Sequence, residues 1–202
     1  MIANIFRFVI ILGLCCLVMG GGVATLYAVF KGRLEARETA AQQEAITNVC
    51  PPGAAVDASA PLVGKPFAED AVYVAKAADG KPAAYVAGGA DPGYSSVVRV
   101  MVGATRDGDT LVIYKVAVLS QAETPGLGAN IAETRSNYTL WMKLFGSTEP
   151  EQTFTPFIGD FAGKRQDQVQ EIQAITAATI TSDAVKSAVD QALHRIRGAV
   201  KQ

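Results

Sequence analysis

Two short segments of this 202-residue chain carry side chains and spacing suited to chemistry. The first is Glu123-Thr124-Pro125-Gly126-Leu127-Gly128. Pro125-Gly126 suits a type II turn and Gly128 permits a second tight bend, so the residues describe a rigid glycine loop. A flat ligand could approach such a loop closely, with Glu123 and Thr124 offering polar contacts. The plainer alternative is a structural turn. The second segment is Ala174-Ile175-Thr176-Ala177-Ala178-Thr179-Ile180-Thr181, directly before a strongly patterned helix. A helix N-terminus presents unpaired N–H groups and the positive end of its dipole, a natural phosphate site. Hydroxyls at Thr176, Thr179 and Thr181 surround it. On residue types alone, these threonines read as capping residues.

Other chemistry finds no support. The chain has no HExxH, no P-loop and no GxSxG, and Gly126-Leu127-Gly128 lacks the third glycine of a dinucleotide fingerprint. Of three cysteines, Cys15 and Cys16 lie in an apolar run and Cys50 stands alone, which leaves no internal disulfide and no thiolate metal cluster. His194 is the single histidine and reads as a polar residue late in the last helix. A net charge of −1 gives no footprint for nucleic acid. With 50% hydrophobic and 18% charged residues, disorder is excluded too.

Hairpins and two helices must position the two segments. Val72–Ala75 and Ala83–Ala87 flank Asp79-Gly80-Lys81-Pro82, a hairpin signature. Val97–Gly103 and Leu111–Leu119 are stronger strands, joined by a turn at Arg106-Asp107-Gly108-Asp109. A helix near 130–145 and an irregular stretch over 147–168 follow. The last helix has Thr181 or Ser182 as its cap, Asp183 near its N-terminus and Arg195, Arg197 and Lys201 near its C-terminus. Val185, Ala188, Val189, Ala192, Leu193, Ile196 and Val200 recur at helical spacing and predict one buried face. Strand hairpins with segregated helices predict an α+β fold.

The N-terminus differs in kind. Phe8–Phe30 is an uncharged run of 23 residues, roughly 34 Å as a helix and enough to cross a hydrocarbon core of about 30 Å. It exceeds a signal-peptide core of about 7–15 residues, and Leu14 before Cys15 does not fit a lipobox. The reading is an uncleaved transmembrane anchor over residues 1–30. Gly20, Gly21 and Gly22 either give another helix a close approach or are merely tolerated in lipid. Residues 31–52 read as a polar helical stalk and linker, ended by Pro51-Pro52-Gly53. Residues 53–70 form a small-residue lead-in to a domain spanning 53–202. Arg7 before the span, against Lys31, Arg33 and Arg37 after it, leans slightly toward a cytoplasmic domain.

The two chemical segments, taken with the anchor and with Gly93-Tyr94 before Val97–Gly103, resemble the FMN-binding domain family. Within it the chain is similar to the anchored flavin subunits of Rnf-type ion-translocating ferredoxin:NAD oxidoreductases, and to those of the related sodium-pumping NADH:quinone oxidoreductases. The family pattern Asp-x-x-(Ser/Thr)-Gly-Ala-Thr falls on residues 173–179, with Gln173 in place of Asp and Ala177 in place of Gly. Gln121 stands where relatives often have histidine. The resemblance implies FMN joined through a phosphoester to Thr179 by a separate flavin transferase. Thr176 and Ala178 complete that motif, while Glu123, Thr124, Gly126 and Leu127 bound the flavin ring. It further implies an electron relay in a complex of membrane and peripheral subunits. The chain would be held in the lipid of the bacterial inner membrane, with the domain on the periplasmic side. Two alternatives are an anchored structural or assembly module without covalent flavin, and an FMN-binding domain of another membrane reductase.

Overall fold

The computed structural model describes residues 2–68, 70–133, 135–136 and 153–201. Helix α1 runs over Ile2–Asn48, so the apolar run and the polar stalk form one helix. It is long and apolar enough to cross a membrane, the one such helix among the described residues. Thr25, the polar interruption of the run, donates its hydroxyl to the Gly21 carbonyl at 2.7 Å and so satisfies itself within the helix. The chain divides into two compact units, one ending at Ala41 and one spanning Gln42–Gln202.

The second unit is built on a five-stranded antiparallel meander: β1 Ala55–Val56, β2 Val72–Lys76, β3 Pro82–Pro92, β4 Val97–Asp107 and β5 Thr110–Ser120, in that spatial order. Asp107 pairs with Thr110, leaving Gly108-Asp109 as a two-residue hairpin loop. Gly108 has φ +61°, the positive value that the first position of a type II′ turn requires. After β5 come a 3-10 helix over Gly128–Ala132, a short pair β6 Arg135–Ser136 with β7 Thr153–Phe154, and one helical turn α2, Pro156–Gly159. A second 3-10 helix, Gln166–Glu171, precedes α3, Thr179–Val200.

Side chains alternate across the sheet and build two cores. One face buries Val98, Val100, Val102, Ala104 and Ile113 against Val185, Val189, Leu193 and Ile196 of α3. The other buries Tyr73, Val86 and Met101 against Ala45, Ile46 and Val49 at the C-terminal end of α1. Two glycines permit this close layering. A Cβ at Gly89 would lie 1.9 Å from the Ala188 carbonyl oxygen on one face, and one at Gly103 would lie 1.9 Å from the Val49 carbonyl oxygen on the other.

The α+β class and the hairpins agree with the sequence reading; three details do not. Strand β3 continues through Gly88-Gly89 to Pro92, because the missing side chain at Gly89 serves helix packing rather than a break. The helix expected near 130–145 is a 3-10 helix ending at Ala132, and Arg135–Ser136 is extended because it pairs with β7; its remainder, 137–145, lies outside the described residues. The stretch expected to be irregular contains β7, α2 and the start of the second 3-10 helix. His194 is exposed on α3, as expected of a surface polar residue.

Candidate functional site

Three segments converge at one end of the sheet. The first is the loop Gly93–Ser96 between β3 and β4, closed by the Gly93 amide donating to the Ser96 carbonyl at 2.8 Å. The second follows β5. Here the Leu127 and Ala129 amides both donate to the Thr124 carbonyl, at 3.1 and 3.2 Å, and Asn130 Nδ2 donates to the Gly126 carbonyl at 3.1 Å. With Pro125 at its second position and Gly126 at φ +76° in its third, Thr124–Leu127 is the expected type II turn. The third is the approach to α3. Its Ala178 amide donates to Ile175 at 3.0 Å, which closes a turn that places Ala177 at φ +63°.

Between them lies a cleft of about 430 Å³, lined by Tyr94, Glu123, Thr124, Leu127, Gly128 and residues 177–181. That volume suits a small organic ligand. Its flanks present exposed apolar surface: Tyr94 is 73% exposed, Ile180 57% and Leu127 44%. Of the seven residues singled out from the sequence, Glu123, Thr124, Leu127, Ala178 and Thr179 line the cleft. Gly126 and Thr176 are exposed and shape the two turns instead. Sequence reasoning missed Ile180 and the role of Gly128, placed Thr181 at the helix start without its bond to Glu123, and noted Tyr94 only as part of a resemblance.

Glu123 holds the three segments together. It is 6% exposed, and its Oε1 accepts the Ser95 amide at 3.1 Å, the Ser96 amide at 2.9 Å and the Ser96 hydroxyl at 3.0 Å. Its Oε2 accepts the Thr181 hydroxyl at 2.8 Å. Its own amide donates to Gln121 Oε1 at 2.7 Å, so the glutamine locks the bend before the loop. Burial pushes the Glu123 carboxyl upward, yet donation from Thr181, Ser95 and Ser96 outweighs burial and holds it below the ordinary range.

Two expectations need correcting here. Helix α3 begins at Thr179, with Ala178 in the capping position and no side-chain cap. Thr181 and Ser182 therefore sit inside the first turn. Their hydroxyls are engaged elsewhere, Thr181 with Glu123 and Ser182 accepting the Ile175 amide at 3.0 Å. Gly128, expected at a second bend, begins a 3-10 helix without positive φ. It is glycine for space, because a Cβ there would lie 2.7 Å from Thr181 Oγ1 and 2.8 Å from Glu123 Oε2.

At the cleft's far wall, Thr179 is the first residue of α3 and its side chain is exposed. The amides of Thr179, Ile180 and Thr181 have no acceptor within the helix, whose first internal bond runs from Ser182 to the Ala178 carbonyl at 2.9 Å. An anion beside Thr179 would meet those donors and the positive helix end. No group of His, Cys, Asp and Glu among the described residues could hold a metal ion.

Residues 93–194, which contain all three segments, match the FMN-binding domain family. The chain belongs to that family. Relatives of this chain include the G subunit of the Na(+)-translocating ferredoxin:NAD(+) oxidoreductase complex of Acetobacterium woodii, 34% identical over 61% of this chain and 53% of the relative. The G subunit of the ion-translocating oxidoreductase complex of Pseudomonas aeruginosa (strain UCBPP-PA14) is 29% identical over 95% of this chain and 88% of its own length. Its counterpart in the ion-translocating oxidoreductase complex of Escherichia coli (strain K12) is 34% identical over 66% and 59%. The chain thus spans about half the length of the first of these relatives and most of the second.

Proposed function

We propose that this chain is a membrane-anchored flavoprotein subunit of an Rnf-type ion-translocating oxidoreductase complex, relaying electrons through FMN attached by a phosphoester to Thr179. The observation that carries the reading is the placement of Thr179. Its exposed hydroxyl stands at the first position of α3, on the wall of the cleft that Glu123, Thr124 and Leu127 also line.

The residues present fit such a group. Free amides at Thr179, Ile180 and Thr181 offer donors to a phosphate. Tyr94, Leu127 and Ile180 offer apolar surface to a planar ring, and Gly128 leaves room where a side chain would meet Thr181 and Glu123. Ala177 replaces the family's glycine, yet its backbone takes the left-handed conformation that a glycine there would supply. The left-handed turn before α3 is therefore present with alanine at this position. Bound FMN supplies the redox chemistry, and the protein supplies attachment, orientation and electrostatics.

In this reading residues 1–30 anchor the chain in the lipid of the bacterial inner membrane, 31–52 form stalk and linker, and 53–202 form the FMN-binding domain on the periplasmic side. The partners are other membrane and peripheral subunits of the complex, with a flavin transferase acting in maturation. The test is in-gel flavin fluorescence of the denatured full chain, co-expressed with its transferase, beside Thr179→Ala. A bright wild type and a dark variant are expected. A dark wild type would make the chain an anchored structural module, and a bright variant would move the tether elsewhere. Protease treatment of spheroplasts tests the side: residues beyond 52 should be digested without lysis.

A further inference from the structure

The three segments that form the cleft are almost devoid of charge. Residues 92–98 and 172–182 contain no Asp, Glu, Lys or Arg, and residues 121–132 contain one, Glu123. That one carboxylate is buried, lines the cleft and receives donors from the other two segments. Two glycines are moulded around it: a Cβ at Gly93 would lie 2.7 Å from its Oε1, and one at Gly128 would lie 2.8 Å from its Oε2. A charge in such surroundings is weakly screened, and its field reaches whatever occupies the cleft.

The geometry points to Glu123 as the positioning and potential-setting residue of the flavin cleft: its carboxylate fastens the Gly93–Ser96 loop and the first turn of α3 around the ring, and its charge opposes reduction of that ring. This rests on the flavin reading above. Reduction adds negative charge to the cofactor, which a neighbouring carboxylate disfavours. The four donors fix where the charge sits without removing it. Asymmetry matters as well, because three donors converge on Oε1 and one hydroxyl on Oε2. Thr181 therefore governs how much of the charge on the α3 side is compensated.

The experiment is a redox titration of the flavin-loaded full chain in detergent, with dithionite as reductant and mediators, comparing wild type, Glu123→Gln and Thr181→Val. Glutamine keeps the size and an acceptor oxygen but loses the charge. Its midpoint potential should rise by on the order of tenfold in the one-electron equilibrium constant, about 59 mV. Thr181→Val keeps the charge but strips a donor from Oε2, so its potential should fall. A merely structural role moves neither in this pattern. Amide hydrogen exchange at Ser95 and Ser96 in flavin-free protein gives an independent readout, and Glu123→Gln should accelerate it. Loaded Glu123→Gln titrating like wild type would overturn the inference, as would Thr181→Val at the wild-type potential should the glutamine variant not fold. A wild-type chain that takes up no flavin would refute the flavin reading itself, and the potential-setting role with it; unchanged exchange at Ser95 and Ser96 would still separately refute the fastening role.

Discussion

Replacing Ala177 by glycine should stabilise this protein, although glycine substitutions usually do the reverse. Ala177 sits at φ +63° in the turn closed by the Ala178 amide on the Ile175 carbonyl. For an L-residue the left-handed region costs about 1–2 kcal/mol, because Cβ crowds the following carbonyl. Glycine removes that cost but has a freer unfolded chain, which takes back about 0.5–1 kcal/mol. Ala177 is exposed, so the lost methyl costs little burial. The net gain is about 0.5–1 kcal/mol, or roughly 1–4 °C in Tm for a unit of this size. Thermal unfolding of the full chain in detergent, followed by circular dichroism, measures it. Ala174→Gly is the internal control: it lies three residues away without positive φ, so it should lose about 0.5–1 kcal/mol. Opposite signs are expected at 174 and 177. Equal losses at both positions would refute the claim that strain at Ala177 is relieved by glycine.

Gly89→Ala should destabilise the domain by about 2 kcal/mol or more, since its Cβ would meet the backbone carbonyl of Ala188 at 1.9 Å rather than a movable side chain; urea unfolding reads this out. Gly128→Ala should leave the fold standing but part Thr181 from Glu123, and equilibrium dialysis with free FMN should then show binding weakened at least several-fold. The hydrogen bonds around Glu123 carry a pH signature. Its carboxyl is held lower in the folded than in the unfolded chain, so its stabilisation is full above the ordinary carboxylate pKa of about 4.3 and fades as pH falls through the lower folded value. Urea midpoints of wild type and Glu123→Gln should therefore differ at pH 7 and converge in strong acid; a gap that widens on acidification would reverse the assigned direction.

What could be read from the sequence was what local pattern encodes. The type II turn at Pro125-Gly126, the buried face of α3 and the β4–β5 hairpin each depend on residues close in the chain, where turn chemistry and periodicity act directly. Glycines were harder, because one residue type serves two purposes. Gly126 is glycine for its φ, as its neighbours suggest, but Gly128 and Gly89 are glycine because a distant atom occupies the space of a side chain. Nothing next to Gly89 in sequence announces Ala188.

The start of α3 shows the same limit on a hydroxyl. Thr181 and Ser182 are good caps by residue type, but a cap is decided by where the chain turns and by what else can use the oxygen. Here the chain turns at Ala177, and Glu123, 58 residues before Thr181, takes the hydroxyl that a local rule would assign to the helix. Buried carboxylates do this because an unpartnered one is costly, and donors are recruited from wherever the fold brings them. Ser95 and Ser96 lie 28 and 27 residues from Glu123, and Thr181 lies on the other side of it in sequence. Such a network has no signature in any single window. Its trace is compositional: one acidic residue left standing in three segments that otherwise carry no charge. Isolated charge within a neutral, glycine-rich neighbourhood is therefore a better pointer to this residue than any local motif, since each further charge in that neutral space would need donors of its own.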